Sequence, residues 1–264
     1  MRQMITSRVS RFQTREVHLL VRPTKWISDI LMNFFSDLDE LDRLGVDANT
    51  NKASSWRAPD GREIKNEGML SRYDFFLSRL RDQGVTKMLE LGAGPDDNIG
   101  ASVRMWKRYF PETAEIHVAD IKPSAMALKD EGFFPHVGDL GYQPFLKRLA
   151  ARTWDFVIDD ASHLWIHQIL SFRTLFPALR SGGIFICEDL CTSFGDMRAP
   201  YSMGLDMRDP VHYFQALSRC TCGKSDATSD MTPEIYQLTD ADHKLAAQIH
   251  MLSWIRNSVI IVKR

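Results

Sequence analysis

The sequence predicts an α/β fold, a doubly wound, seven-stranded Rossmann-like sheet preceded by an N-terminal helical extension. Two observations carry this expectation. From Lys87 onward, short apolar strands and amphipathic helices alternate, and the strands are too apolar to be half exposed. That is the pattern of a parallel sheet covered on both faces. A Gly92-Ala93-Gly94 turn follows the first of these strands, where such folds pass sharply from strand to helix.

The elements follow in order. Trp26, Ile27, Ile30, Leu31, Phe34, Phe35, Leu38 and Leu41 recur at helical spacing, with acids between them, and predict one amphipathic helix. It is expected to pack on the main domain or on another subunit. Residues 47–67 are polar around Trp56 and predict a lid-like loop. Tyr73, Phe76, Leu77 and Leu80 predict a helix over 71–81. Strands are expected at 87–91, 115–120, 133–137, 154–159 and 184–188. Helices are expected at 99–110, 124–131, 142–151 and 165–179, and Gly182-Gly183 makes the turn into the fifth strand. After Asp189 the rhythm breaks. Residues 190–230 predict an insertion over the ligand-binding edge, with a helix at 211–219. The chain closes with a strand at 235–238, a helix from Ala241 and a strand at 258–262. Residues 1–84 then form the extension and its lid-like loop, and residues 85–264 the main domain.

Bulk composition narrows the function classes. The 264 residues suit a long single domain or one domain with a small appendage, and 44% apolar residues suffice for a full core. With 33 basic and 34 acidic residues the net charge is −1, so no chain-wide field draws nucleic acid or a membrane surface. No apolar run is long enough to span a bilayer. Arg2, Arg8, Arg11 and Arg15 read as a solvated basic arm in preference to a transit peptide. Cys187, Cys191, Cys220 and Cys222 lack zinc spacing, so reduced thiols and a cytoplasmic location are expected.

The first motif is Glu90-Leu91-Gly92-Ala93-Gly94. A dinucleotide-binding turn would place a third glycine at position 97, where Asp97 stands, so a nicotinamide cofactor is disfavoured. An acid at Glu90 is instead the pattern of S-adenosylmethionine enzymes. Asp120 ends the second strand, where a carboxylate meets ribose hydroxyls; capping the next helix is the plainer alternative. Asp139, after the third strand, is placed for the adenine amino group, again with a cap as alternative. Ser102 and Asp159 complete the expected cofactor-binding set with Glu90, Gly92, Gly94, Asp120 and Asp139.

The second motif joins Asp159-Asp160-Ala161-Ser162-His163 to Glu188-Asp189. The fourth and fifth strands of a doubly wound sheet are neighbours about 4.8 Å apart. Asp160, Glu188 and Asp189 therefore converge at the carboxyl edge, where such folds bind ligands. Three uncompensated carboxylates would raise each other's pKa values. No lysine or arginine lies near them in sequence, so a hard divalent cation, Mg²⁺, is expected to neutralise them. His163 is expected to be the base for a hydroxyl acidified by that metal, although His167 stands one helical turn further on.

These residues carry a resemblance. Gly100-Ala101-Ser102-Val103-Arg104-Met105-Trp106-Lys107 with Tyr109-Phe110-Pro111 resembles the first core helix of the metal-dependent sugar O-methyltransferases of macrolide biosynthesis. The similarity continues through Asp159–His163, Ser171-Phe172, Leu175-Phe176-Pro177, Gly182-Gly183, Glu188-Asp189-Leu190 and Thr192-Ser193-Phe194. It covers roughly residues 87–194. The resemblance implies a seven-stranded methyltransferase sheet, Mg²⁺ on Asp160, Glu188 and Asp189, and His163 as general base. It also implies S-adenosylmethionine as methyl donor, a hydroxyl acceptor on a glycosylated small molecule, and a homo-oligomer. The chain departs from the family at Ala161, usually glycine, and at Leu140, usually polar. A methyltransferase fold that catalyses another reaction, with the cofactor bound structurally, is the rival reading.

Overall fold

The computed structural model describes residues 40–66, 68–85, 87–205, 207, 209–222 and 238–264. The helix expected from Trp26 lies outside the described residues except for its end. The strand expected at 235–238 does so except for Leu238.

A short helix, α1 (Glu40–Asp47), opens the described chain. The region expected to be a loop holds a two-stranded antiparallel hairpin, β1 (Ser55–Arg57) and β2 (Glu63–Lys65), with Trp56 opposite Ile64. Its cause is side-chain chemistry that periodicity does not register. The Asn49 amide donates to the Arg57 carbonyl (3.0 Å) and accepts from the Arg57 amide (2.6 Å). Asp42 accepts from the Ser54 backbone amide at 2.8 Å. Helix α2 (Leu70–Asp82) then leads to the sheet.

The sheet comprises β3 (Lys87–Leu91), β4 (Glu115–Asp120), β5 (Phe134–Val137), β6 (Trp154–Asp159), β7 (Leu179–Cys187), β8 (Ile249–Ile255) and β9 (Ser258–Lys263). Their spatial order is β5-β4-β3-β6-β7-β9-β8. The first five strands are mutually parallel, and β9 runs antiparallel between β7 and β8. Helices α3 (Ala101–Tyr109), α4 (Gln143–Ala150) and α5 (Trp165–Leu175) make the crossovers, with a 3₁₀ segment at Pro123–Glu131 in place of the expected α-helix. Helices α6 (Arg198–Ser202) and α7 (Pro210–Cys222) belong to the expected insertion, and α8 (Asp240–Ala246) precedes β8.

The seventh strand is thus Ile249–Ile255, further along the chain than expected. It lies at the sheet edge, and His250, Met251 and Trp254 are exposed, so no clean alternation marks it. Arg256-Asn257, with Asn257 at φ 61°, forms the tight turn into β9.

Both faces of the sheet are covered. Met88, Phe156, Ile158, Ile184, Ile186 and Ile260 pack on one side against α1, α2 and α3. Leu89, Val157, Phe185, Cys187, Val259 and Ile261 pack on the other against α4, α5 and α7. The period of two along each strand produces this division. Trp106 of α3 is fully buried, stacked on Phe110 (centroids 5.9 Å apart) and edge-on to Phe156 (5.4 Å). Trp106→Ala is expected to cost about 3–5 kcal/mol of unfolding free energy. Urea titration measures it, and a loss below about 1 kcal/mol would mean the site collapses around the deletion.

On the far edge, His117 of β4 and His136 of β5 stack at 5.2 Å and share a hydrogen bond of 2.9 Å. Burial pushes both imidazoles below their ordinary pKa, His136 to about 4. The unfolded chain therefore binds protons more readily than the folded one. This contribution to stability is complete above about pH 6.5 and is lost as pH falls toward about 4. His136→Phe is expected to flatten the fall in melting temperature across that window, and an unchanged slope would disprove the link.

Candidate active site

In the strand order, the chain winds from β3 toward β4 and β5 on one side and toward β6 and β7 on the other. Open α/β sheets bind ligands in the crevice at this reversal. Gly92 sits there, just past β3, at φ 97°. Its amide donates to the Ala119 carbonyl (2.7 Å), and the Asp160 amide donates to the neighbouring Leu91 carbonyl (2.9 Å). A Cβ on Gly92 would run into the Asp160 carbonyl. Glycine is therefore what lets the ends of β3 and β6 close up, and it sets where Asp160 leaves its strand.

Asp120 ties the glycine turn to β4. Its Oδ2 accepts from the Ala93 amide and its Oδ1 from the Lys122 amide, both at 2.8 Å. The capping alternative does not describe it, because the residue at the N-cap of the following 3₁₀ segment is Lys122. Each oxygen keeps acceptor capacity for a ligand. Asp139 accepts from the Gly141 amide at 2.7 Å, a local turn that leaves its carboxylate at the opening.

The acids at the ends of β6 and β7 are not left without a basic partner, as the sequence led us to expect. Lys52, from the segment ahead of β1, is 2% exposed and bonds both Asp160 Oδ2 and Glu188 Oε2. Its Nζ also lies 4.0 Å from Glu90 Oε1. Burial alone would lower the lysine pKa. The charges of Asp160, Glu188 and Glu90 outweigh it and hold the ammonium above its ordinary range. The second oxygen of Glu188 accepts from Tyr73 of α2 at 2.8 Å, and that hydroxyl also meets Ser258 Oγ at 2.9 Å. Burial pushes Glu188 up to about 8 against the pull of Lys52. Glu90 is wholly buried, and burial pushes it up to about 7 against the pull of Lys52.

His163 and Asp189 both adopt left-handed backbone, at φ 56° and 52°. Non-glycine residues pay for this conformation, and such outliers cluster at functional sites. His163 Nε2 stands 3.3 Å from Asp189 Oδ2, while its Nδ1 is buried without a partner. His167 is distinguished from it: its Nδ1 meets Ser162 Oγ at 2.8 Å. Tyr201 of α6 brings the insertion beside His163, with ring centroids 6.4 Å apart.

One cavity of about 950 Å³ joins these parts. Gly92, Gly94, Ser102, Asp120 and Asp139 line it together with Asp160, His163 and Asp189. Glu90, Asp159 and Glu188 are among the expected site residues but do not line it. Asp159 is buried against Ser171 Oγ, and burial pushes it up to about 6. Among the described residues, Asp160, His163 and Asp189 each bring a ligand atom within 4.8 Å of the others. Octahedral donors at about 2.1 Å from Mg²⁺ lie about 3 Å apart in neighbouring positions and about 4.2 Å in opposite ones. The carboxylates of Asp160 and Asp189 could hold a divalent ion here, with the His163 imidazole beside it.

Sequence reasoning missed Lys52, Tyr73 and the hairpin wall. Lys52 stands in a polar stretch, and no local pattern marks it for burial. In sequence Tyr73 falls on the apolar stripe of its helix, which hides the use of its hydroxyl.

No family model matches the chain. The chain is 41% identical over 128 residues to 8-demethyl-8-(2-methoxy-alpha-L-rhamnosyl)-tetracenomycin-C 3'-O-methyltransferase of Streptomyces olivaceus, a match covering 46% of this chain and 32% of that protein. It is 38% identical over 129 residues to mycinamicin VI 2''-O-methyltransferase of Micromonospora griseorubida, covering 46% of this chain and 31% of that one. The resemblance carried by the motifs is borne out by these relatives. The chain spans about a third of their length. Among solved structures it is similar to the MycE methyltransferase from the mycinamycin biosynthetic pathway, in complex with Mg, SAH and mycinamycin VI. That match has a TM-score of 0.64 at 24% identity, over 85% of this chain and 54% of the other. The likeness bears out the seven-stranded methyltransferase fold.

Gly92→Ala tests the close approach at the crevice. A side chain there meets both an unfavourable φ and the Asp160 carbonyl, so a loss of about 2 kcal/mol or more is expected. A variant that melts with the wild type would show that the two strand ends tolerate separation.

Proposed function

We propose that this chain is an S-adenosylmethionine-dependent, Mg²⁺-dependent O-methyltransferase that methylates a hydroxyl of a small molecule. The proposed acceptor class is a sugar of a glycosylated natural product. The observation that carries this reading is that the glycine turn with Asp120 and the Asp160–His163–Asp189 cluster open into one cavity. The named activities of the sugar O-methyltransferases to which the chain is similar support it.

In this reading Gly92, Gly94 and Ser102 let the cofactor approach the backbone, Asp120 takes the ribose hydroxyls and Asp139 the adenine amino group. Glu90 and Asp159 act from behind the wall. Asp160 and Asp189 would hold the metal; Glu188, expected as a third ligand, has its oxygens on Lys52 and Tyr73 and does not line the cavity. The bound ion would neutralise the converging acids and acidify the acceptor hydroxyl. His163 would take the hydroxyl proton at Nε2, and a cavity that binds acceptor and cofactor together would supply much of the acceleration through orientation.

We assign the cofactor and metal to residues 85–264, with residues 1–84 as an extension and the 190–230 insertion shaping the acceptor side. A cytoplasmic location is supported by the four unpaired cysteines. A homo-oligomer rests on the family resemblance alone. No helix among the described residues is long and apolar enough to cross a membrane, and none of these assignments needs one.

Mass spectrometry of a glycosylated acceptor incubated with S-adenosylmethionine tests the reaction: the product should gain one methylene. An altered product without that gain would favour the rival reading of a structural cofactor. Excess EDTA should abolish turnover and Mg²⁺ restore it; full activity in EDTA would remove the metal from the mechanism. His163→Ala should lower kcat by about 10²–10⁴-fold. Its affinity for S-adenosylhomocysteine should stay near wild type, and equal losses in both would make His163 structural.

A further inference from the structure

The segment from Asn49 to Asn66 forms part of the cavity wall through Asn49, Thr50, Asn51, Trp56, Arg57 and Pro59. Its strands are three residues each, and a lone two-stranded hairpin is marginal in water. Something outside the hairpin must therefore hold it. Polar links tie its ends: Asn98 donates to the Asn49 carbonyl (3.0 Å), Asp42 accepts from the Ser54 amide (2.8 Å), and the Met69 amide donates to the Lys52 carbonyl (3.2 Å). The deepest anchor is Lys52. Thr50, Lys52 and Ala53 are almost wholly buried, and the lysine ammonium ends between Asp160 and Glu188, with Glu90 beyond. A buried ammonium withdrawn from such partners leaves unpaired charges on both sides, so the docked position is strongly preferred.

We propose that Lys52 is a positioning residue that pins the Asn49–Asn66 segment to the acid cluster and so holds Trp56 and Arg57 as the outer wall of the cavity. The identity of the ligands behind that wall rests on the function proposed above; the pin itself rests on the contacts of Lys52. The side chain reaches Asp160 and Glu188 from the protein side and does not line the cavity. Its effect on ligands passes through the placement of the wall and of the Asp160 carboxylate.

Hydrogen exchange read by mass spectrometry on the full chain tests the pin, with Lys52→Met, Lys52→Arg and Asp42→Ala compared with wild type. In Lys52→Met the amides of residues 51–66 should exchange at least tenfold faster, while those of β3 and β6 keep wild-type rates. The dissociation constant for S-adenosylhomocysteine should rise at least tenfold. Lys52→Arg, which keeps the charge, should recover part of both. Asp42→Ala loosens the segment from α1 without touching the acids and should likewise speed exchange and weaken S-adenosylhomocysteine binding. If Lys52→Met fails to fold, Lys52→Gln read in the same way decides the matter. Wild-type exchange in residues 51–66 of Lys52→Met, or acceleration spread equally over β3 and β6, would overturn the proposal. So would a loosened segment in Asp42→Ala with unchanged affinity. If wild type itself does not bind S-adenosylhomocysteine, the function proposed above fails while the exchange rates still judge the pin.

Discussion

The interaction on which the rest of this structure depends is one buried ammonium shared by carboxylates from three strand ends. Glu90 belongs to β3, Asp160 follows β6 and Glu188 follows β7, and Lys52 reaches all three. Moving a carboxylate out of water costs several kcal/mol, and several of them together repel as well. A fixed cation at the carboxyl edge of this sheet offsets that cost. The chain supplies it from a segment more than a hundred residues earlier than Asp160. The region before the sheet and the ligand-binding edge are in consequence one electrostatic unit, even though they are far apart in sequence.

That compensation is incomplete, which is what makes the site chemically interesting. Lys52 brings one positive charge to a neighbourhood that also holds Asp189, whose pKa is raised by burial. Asp160 is bonded to Lys52 on one oxygen and faces the cavity with the rest of its carboxylate. The residual negative charge is concentrated where Asp160, His163 and Asp189 converge, the place at which a divalent cation fits. Backbone strain is concentrated there too, since His163 and Asp189 both hold left-handed φ values at a cost of order 1–3 kcal/mol each. The packed sheet on both sides over-determines these conformations and keeps them in place.

The crevice joins two groups of residues. The glycine turn is tied to β4 by Asp120. Beside it the acids and His163 gather, with Tyr201 bringing the insertion beside the histidine. The hairpin with Trp56 forms a further wall of the same cavity. The sheet edge is regular and shared with known methyltransferase folds, whereas the hairpin and the insertion are local to their own sequence stretches. The hairpin segment shapes the cavity without carrying the strand ends that place the acids.

The sequence by itself determined the parallel core, because the central strands are short and largely apolar and the crossover helices carry apolar stripes. It also determined the meeting of Asp160 with Asp189, since adjacent strands must bring their carboxyl ends together, and the need for glycine at position 92. It did not reveal β8, an edge strand whose side chains face water too often to alternate. Nor did it reveal the hairpin, whose register depends on the amide of Asn49 and the carboxylate of Asp42. Only the tertiary structure decided how the acids are neutralised, drawing Lys52 and Tyr73 onto Glu188 and leaving Asp160, His163 and Asp189 to converge. The physical reason is range. Periodicity records which face of an element is buried, a property of neighbouring residues. The partner of a buried charge is whatever the completed fold carries within a few ångströms, and in this chain that partner lies far away in sequence.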